Sequence, residues 1–385
     1  MFFQYIPDSL KWESNLDWGH AVSSDLIDWQ QIDSALVPES EVGCWSGSAV
    51  AVDDGFLIFY TRPTQGEWSK GQVVLVKTNP ELTTFERLEP PVITSAPDER
   101  FFDFRDPQVR RVGTGFVMTI GAGIRDFGGC ALQYSSFDAY TWNFDGVLAS
   151  RSKDDTEPVA TGTVWECPQF FQLGSKWCLI ISSINPDTYQ KVQYALGEYD
   201  GKVFQPDTWG HLGYSEIPYA TTTFQDHEGR RCLMSWLKES GEVSEYAGAQ
   251  SVPMVVEEVG GKLTVDIHPN LLKHFKETDE STVTTHSWLS VSEVETSFSV
   301  TLNSGDNNID IRIENFSVTT SVNEDVRVFD IPCTVQRAEI LIDADILEIV
   351  LPEVPMTLAL RIPAQDGWDI SSKGIQAMTK RNCLG

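Results

Sequence analysis

Two carboxylates stand at matching places in a repeated pattern. Asp106, in "FRDPQV", lies 10 residues before Phe116, and Glu166, in "WECPQFF", lies 11 before Trp177. Ser46, in "CWSGSAV", lies 10 before Phe56. Each of those aromatics opens an apolar run just after a turn. The three polar residues therefore occupy equivalent positions in successive units and are expected to converge. Arg105 precedes Asp106 and is expected to keep it ionised or to bind a substrate directly. Glu166 is flanked by Trp165, Cys167 and Pro168, where desolvation would raise its pKa and suit it to a general acid. One ionised and one protonated carboxylate beside the aromatics Trp12, Trp18, Trp45 and Trp236 is how sugar-cleaving sites are built. Taken singly, each acid would read as a turn cap or a partner for arginine. Their matched register favours a site.

The unit that places them recurs along the chain. "WSGSAV…FLIFYT", "FRDPQV…FVMTIGAG", "WECPQFF…WCLIISSI" and "YATTTF…CLMSWL" each join two β-rich runs through a short turn. Their second runs begin at Phe56, Phe116, Trp177 and Cys232, at spacings of 60, 61 and 55. A third strand and an acidic turn before an aromatic follow in each (Trp29, Phe85, Trp142, Phe204), and "VGGKLTVDIHP" supplies a fifth beat. Four strands per unit at this period predict a β-propeller, here of five blades. Inner strands of a propeller line one channel, so equivalent positions meet at its mouth. "FFQY" at the start aligns with the second strand of a blade, Phe2 lying 54 residues before Phe56. The first blade is expected to have no inner strand within these residues.

Beyond about residue 280 the pattern changes. "NNIDIRIENFSVTTSV", "AEILIDADILEIVLP" and "MTLALRIP" alternate apolar and polar residues, as strands of a two-sheet sandwich do. The expected organisation is all-β: a five-bladed propeller over 1–267, a polar and helix-prone linker over 268–280, and a β-sandwich over 281–385.

Composition narrows the partners. The 385 residues carry 56 acidic and 28 basic side chains, a net charge of −28. Such a surface repels phosphate backbones and anionic membranes, so neither is an expected partner, and the sugar-cleaving pattern of the carboxylates makes a small-molecule carbohydrate the expected ligand. The seven cysteines form no CxxC pair and read as free thiols. With no signal peptide or long apolar run evident, a cytoplasmic location is expected. A homo-oligomer stays open.

"FFQYIPDSLKW", "LDWGHAVSSDLIDW", "CWSGSAV", "FRDPQV" and "WECPQFF" together resemble the motifs of family 32 glycoside hydrolases, the group of invertases, β-fructofuranosidases, sucrose-6-phosphate hydrolases, inulinases and levanases. The resemblance runs the length of the chain and implies a propeller joined to a C-terminal sandwich. It also implies roles. Glu166 resembles the general acid/base, with Cys167 its neighbour, and Asp106 the transition-state stabiliser, with Arg105 beside it. Gln4, Trp12, Trp45, Ser46 and Trp236 match positions lining the fructosyl pocket. The implied mechanism is retaining and needs no metal or organic cofactor.

Two departures accompany the resemblance. The family's nucleophilic aspartate, in a WMNDPNG-like motif, has no counterpart in these 385 residues. Gly213 stands where many relatives carry an acid. The expectation is a β-fructosidase impaired as given, for want of its nucleophile strand; a catalytically dead fructoside-binding protein is the alternative. The related arabinanase/xylosidase group fits less well, given "SGSAV", "WGHAVS" and the sandwich.

Overall fold

The computed structural model describes the chain except for Asp8, Trp12, Ser40, residues 186–189, 239–245, Ala247 and Gly385, and the side chain of Trp68. The chain divides into two compact units. One holds Met1–Gly210 and Ala220–Thr222; the other holds His211–Tyr219 and nearly all that follows.

The first unit is built from successive antiparallel sheets. Strands β1 (Phe2–Tyr5), β2 (Asp17–Val22) and β3 (Gln30–Leu36) form a sheet of three. The next sheet is β4 (Trp45–Val52), β5 (Gly55–Thr64), β6 (Glu67–Thr78) and β7 (Phe85–Ile93). Then come β8 (Phe101–Val112), β9 (Gly115–Ile124), β10 (Gly128–Ser136) and β11 (Asn143–Ser150). A single parallel bridge, Lys70 to Phe104, joins those two. Strands β12 (Val164–Leu173), β13 (Lys176–Ile184), β14 (Lys191–Tyr199) and β15 (Phe204–His211) complete the series.

The repeat read from spacing is thus a repeat of strands. Its hairpins close at Val52–Gly55, Val112–Gly115 and Leu173–Lys176. Two of these two-residue turns contain a left-handed glycine, Gly113 (φ 58°) and Gly174 (φ 57°), the conformation that matches strand twist. Second strands such as β9 are buried along nearly their whole length, which is why they read as continuous apolar runs.

Side chains tie neighbouring first strands together at equivalent positions. Ser48 Oγ accepts from the Val109 N–H at 2.8 Å, and Gln108 Oε1 from the Phe170 N–H at 3.1 Å. Close approach also demands glycine. A Cβ on Gly121 would lie 2.2 Å from the Trp165 carbonyl oxygen. Gly121→Ala is therefore expected to destabilise by about 1–3 kcal/mol, as overpacking does. Thermal unfolding would show it, and an unchanged midpoint would mean that the sheets are not held this closely.

A fifth sheet follows, β16 (Pro218–Gln225), β17 (Arg231–Lys238), β18 (Gly248–Gln250), β19 (Met254–Val259) and β20 (Lys262–Ile267); apart from Ala220–Thr222, these strands belong to the second unit. A six-residue 3₁₀ turn, Pro269–His274, follows. The polar stretch 268–280, read as a helix-prone linker, is otherwise partly a strand: β21 (Phe275–Thr278) pairs antiparallel with the end of the chain, Phe275 opposite Cys383. Ladder hydrogen bonds to that partner outweigh the local preference, information that no local window contains.

After β22 (Thr282–Thr284), the long β23 (His286–Ser304) leads into β24 (Asn307–Glu314), β25 (Ser317–Val322), β26 (Asp325–Asp330), β27 (Ala338–Asp343), β28 (Ile346–Leu351), β29 (Met356–Arg361) and β30 (Gly367–Cys383). Along β24 the side chains of Ile309, Ile311 and Ile313 are buried and join Phe298, Val300 and Leu302 of β23 in one core. Period-two alternation predicts this face.

Candidate active site

The site begins at three irregularities in register. Trp45 pairs with Thr61, Arg105 with Gly121 and Glu166 with Ser182, and just beyond each of these pairs the ladder slips. Beside the slips, Asp106 (φ 62°) and Cys167 (φ 46°) take left-handed backbone conformations, as does Asp103 (φ 52°) before another slip in β8. β-Bulges of this kind re-aim side chains, and non-glycine residues in that region carry strain that surrounding structure must hold.

The pairings correct the register taken from spacing. Asp106 and Glu166 are not equivalent. Arg105 and Glu166 occupy one layer, together with Trp45; Asp106 and Cys167 occupy the next, together with Ser46. Each layer explains a contact. Arg105 Nε donates to Glu166 Oε1 at 3.0 Å, and Cys167 N–H donates to Asp106 Oδ2 at 2.9 Å, with the Cys167 thiol 3.6 Å from the same oxygen. Arg105 thus pairs directly with Glu166, and its charge also favours the ionised form of the adjacent Asp106, as the sequence suggested. Its Nη1 meets Asp103 Oδ1 at 3.1 Å.

Burial pushes the Asp106 carboxyl up, to about 6; nearby Arg105 opposes the shift and Glu166 reinforces it. Asp106 is buried, whereas the Glu166 side chain keeps 19% of its exposure and faces a guanidinium. The apolar neighbour Trp165 points away from it, fully buried with its indole N–H on the Thr161 carbonyl. Burial, then the Asp106 charge, holds the Cys167 thiol well above its ordinary value, so it serves as a neutral donor. Three carboxylates and one guanidinium are gathered here, an arrangement suited to binding hydroxyls and moving protons.

The remaining candidates are placed as follows. Gln4 is exposed on β1 and donates to the Cys44 carbonyl at 3.1 Å, next to Trp45. Trp45 is half-buried, its indole N–H on the Ser14 carbonyl and its own carbonyl taking the Trp18 indole N–H. The Ser46 carbonyl accepts from Thr61 Oγ1 at 3.0 Å. Trp236 is half-buried on β17 of the second unit, opposite Gln250, and Gly213 of that unit bridges to Thr357. Trp12 lies outside the described residues.

Spacing missed Thr61 and Asp103. Both had a faint signal: a polar residue where "LIFYT" and "FFDF" are otherwise apolar. A separate trio, Asp226, Cys232 and His268, lies close together in the second unit. His268 Nδ1 accepts from the Asn270 N–H, which leaves Nε2 to donate to Asp226 at 3.1 Å, so neither ring nitrogen offers a free lone pair to a metal.

A family model described as the glycosyl hydrolases family 32 N-terminal domain matches residues 1–265. The chain belongs to glycoside hydrolase family 32. Among its family 32 relatives, it is 30% identical over 293 residues to a cell wall β-fructofuranosidase of Zea mays, covering 66% of this chain and 48% of that one. It is 31% identical over 288 residues to a sucrose-6-phosphate hydrolase of Escherichia coli, covering 68% and 57%. The chain spans about half the length of the curated relatives it matches. A solved family 32 β-fructofuranosidase of Bombyx mori, in complex with sucrose, superposes with a TM-score of 0.84 at 23% identity, covering 99% of this chain and 88% of that one. Fructan 1-exohydrolase IIa of Cichorium intybus does so with a TM-score of 0.78 at 20% identity, covering 99% and 92%. These likenesses show the fold: a β-propeller followed by a β-sandwich.

Proposed function

We propose that the site around Asp106 and Glu166 takes the fructosyl unit of a β-fructoside such as sucrose or a fructo-oligosaccharide. In this reading Glu166 is the general acid/base and Asp106 the carboxylate that holds ring hydroxyls as charge develops. Gln4, Trp12, Trp45, Ser46 and Arg105 are the binding residues. The observation that carries the reading is the pair of adjacent bulges that sets Glu166 on Arg105 and Asp106 on Cys167. A structural ion pair alone gives no reason for two strained, side-by-side bulges.

Given a nucleophilic carboxylate such as the family's motif supplies, the site would perform a retaining hydrolysis: that carboxylate would attack the anomeric carbon while Glu166 protonates the leaving oxygen, and Glu166 would then activate water to release fructose. No metal or organic cofactor enters this scheme. These 385 residues hold no WMNDPNG-like nucleophile motif, which favours a second reading for the polypeptide by itself, a fructoside binder that does not cleave. Sucrose hydrolysis separates the two. The 385-residue protein is expected to turn over sucrose at background level. Brisk turnover that persists through purification and disappears in Glu166→Gln would mean that another residue supplies the nucleophile.

A further inference from the structure

We infer that Thr61 is a positioning residue that fixes the backbone of Asp106; its functional consequence rests on the fructoside reading above. Thr61 ends the apolar run of β5 and is 1% exposed. Its Oγ1 accepts the Asp106 N–H at 2.8 Å and donates to the Ser46 carbonyl at 3.0 Å. A hydroxyl can accept and donate at once, which an alkyl group of the same size cannot. The bulge turns the Asp106 N–H out of the β8–β9 ladder, and a buried N–H without an acceptor is costly. Thr61 supplies that acceptor.

The hydrogen-bonded link does not recur at the two matching places: Gly121 has no hydroxyl, and the buried Ser182 hydroxyl makes no hydrogen bond. Thr61 faces Trp45, and the residues in the same place opposite Arg105 and Glu166 are Gly121 and Ser182. A hydroxyl needed merely to build the fold would recur at Gly121, where none exists. Asp106 is instead held from two sides: Cys167 fixes its carboxylate and Thr61 its main chain. The Ser46 carbonyl, on the bulge of β4, completes the link between two neighbouring bulges.

Thr61→Val removes the hydroxyl at nearly constant shape, and Thr61→Ser restores it. Hydrogen exchange resolved at the Asp106 amide gives a readout that needs no ligand, and calorimetric titration with sucrose gives the functional one. In the valine variant Asp106 exchange is expected to rise about tenfold or more and sucrose affinity to fall about tenfold, one hydrogen bond's worth. The Val109 amide, held by Ser48, should stay within about twofold, and the serine variant should match wild type in both readouts. Unchanged Asp106 exchange in the valine variant would overturn the inference. So would equal rises at Asp106 and Val109, or a serine variant as impaired as the valine one. If the valine variant does not fold, Thr61→Cys, with its weak acceptor, replaces it and carries the same expectations. Wild-type protein that binds no sucrose would end the fructoside reading, while the exchange data would still decide the role of Thr61.

Discussion

Arg105→Met is expected to lower the unfolding free energy by about 3 kcal/mol at neutral pH, the low end for breaking a buried ion pair. Arg105 is only 11% exposed and meets Glu166 at 3.0 Å and Asp103 at 3.1 Å, with Asp106 close by. Its removal leaves three carboxylates crowded without a counter-charge. The deficit should shrink as pH falls towards 4, because protonation relieves the repulsion. Urea unfolding at pH 7.5 and pH 4.5 checks both parts. A variant as stable as wild type at both would show that solvent screens the cluster.

Asp106→Asn should act in the opposite direction on stability. The folded carboxyl titrates at about 6, above its ordinary value of 3.8, because burial disfavours the charge. A raised acid costs nothing below the unfolded pKa. Its cost grows as pH rises from about 4 to about 6 and is complete above that, at about 3 kcal/mol for a shift of this size. Asparagine carries no such charge and still offers an oxygen to the Cys167 N–H. The variant should therefore be more stable than wild type above pH 6 and equal to it below pH 4, while binding sucrose far more weakly. Stability gained together with function lost marks a residue kept for chemistry. A variant destabilised at pH 7.5 would indicate that the ionised Asp106 is a structural partner of Arg105.

These two residues also show what was legible in the sequence. The strand repeat could be read from Phe56, Phe116 and Trp177, because hairpin turns and buried second strands leave strong local signals. The sandwich was legible from the alternation in β24. Both carboxylates could be found, but not their partners. A bulge adds a residue to one strand without changing the composition around it, so counting back from the turn made Asp106 and Glu166 look equivalent. The sole trace was their differing count, 10 against 11. Thr61 was silent for a different reason: its importance lies in a hydrogen bond to a residue 45 positions away.

Calorimetric titration of sucrose into the 385-residue protein, with Asp106→Ala as the paired control, tests the central claim most directly. The account predicts saturable binding of one sucrose per chain by the wild type and none by the variant. Binding that survives Asp106→Ala unchanged, or a wild type that takes up no sucrose, would contradict it.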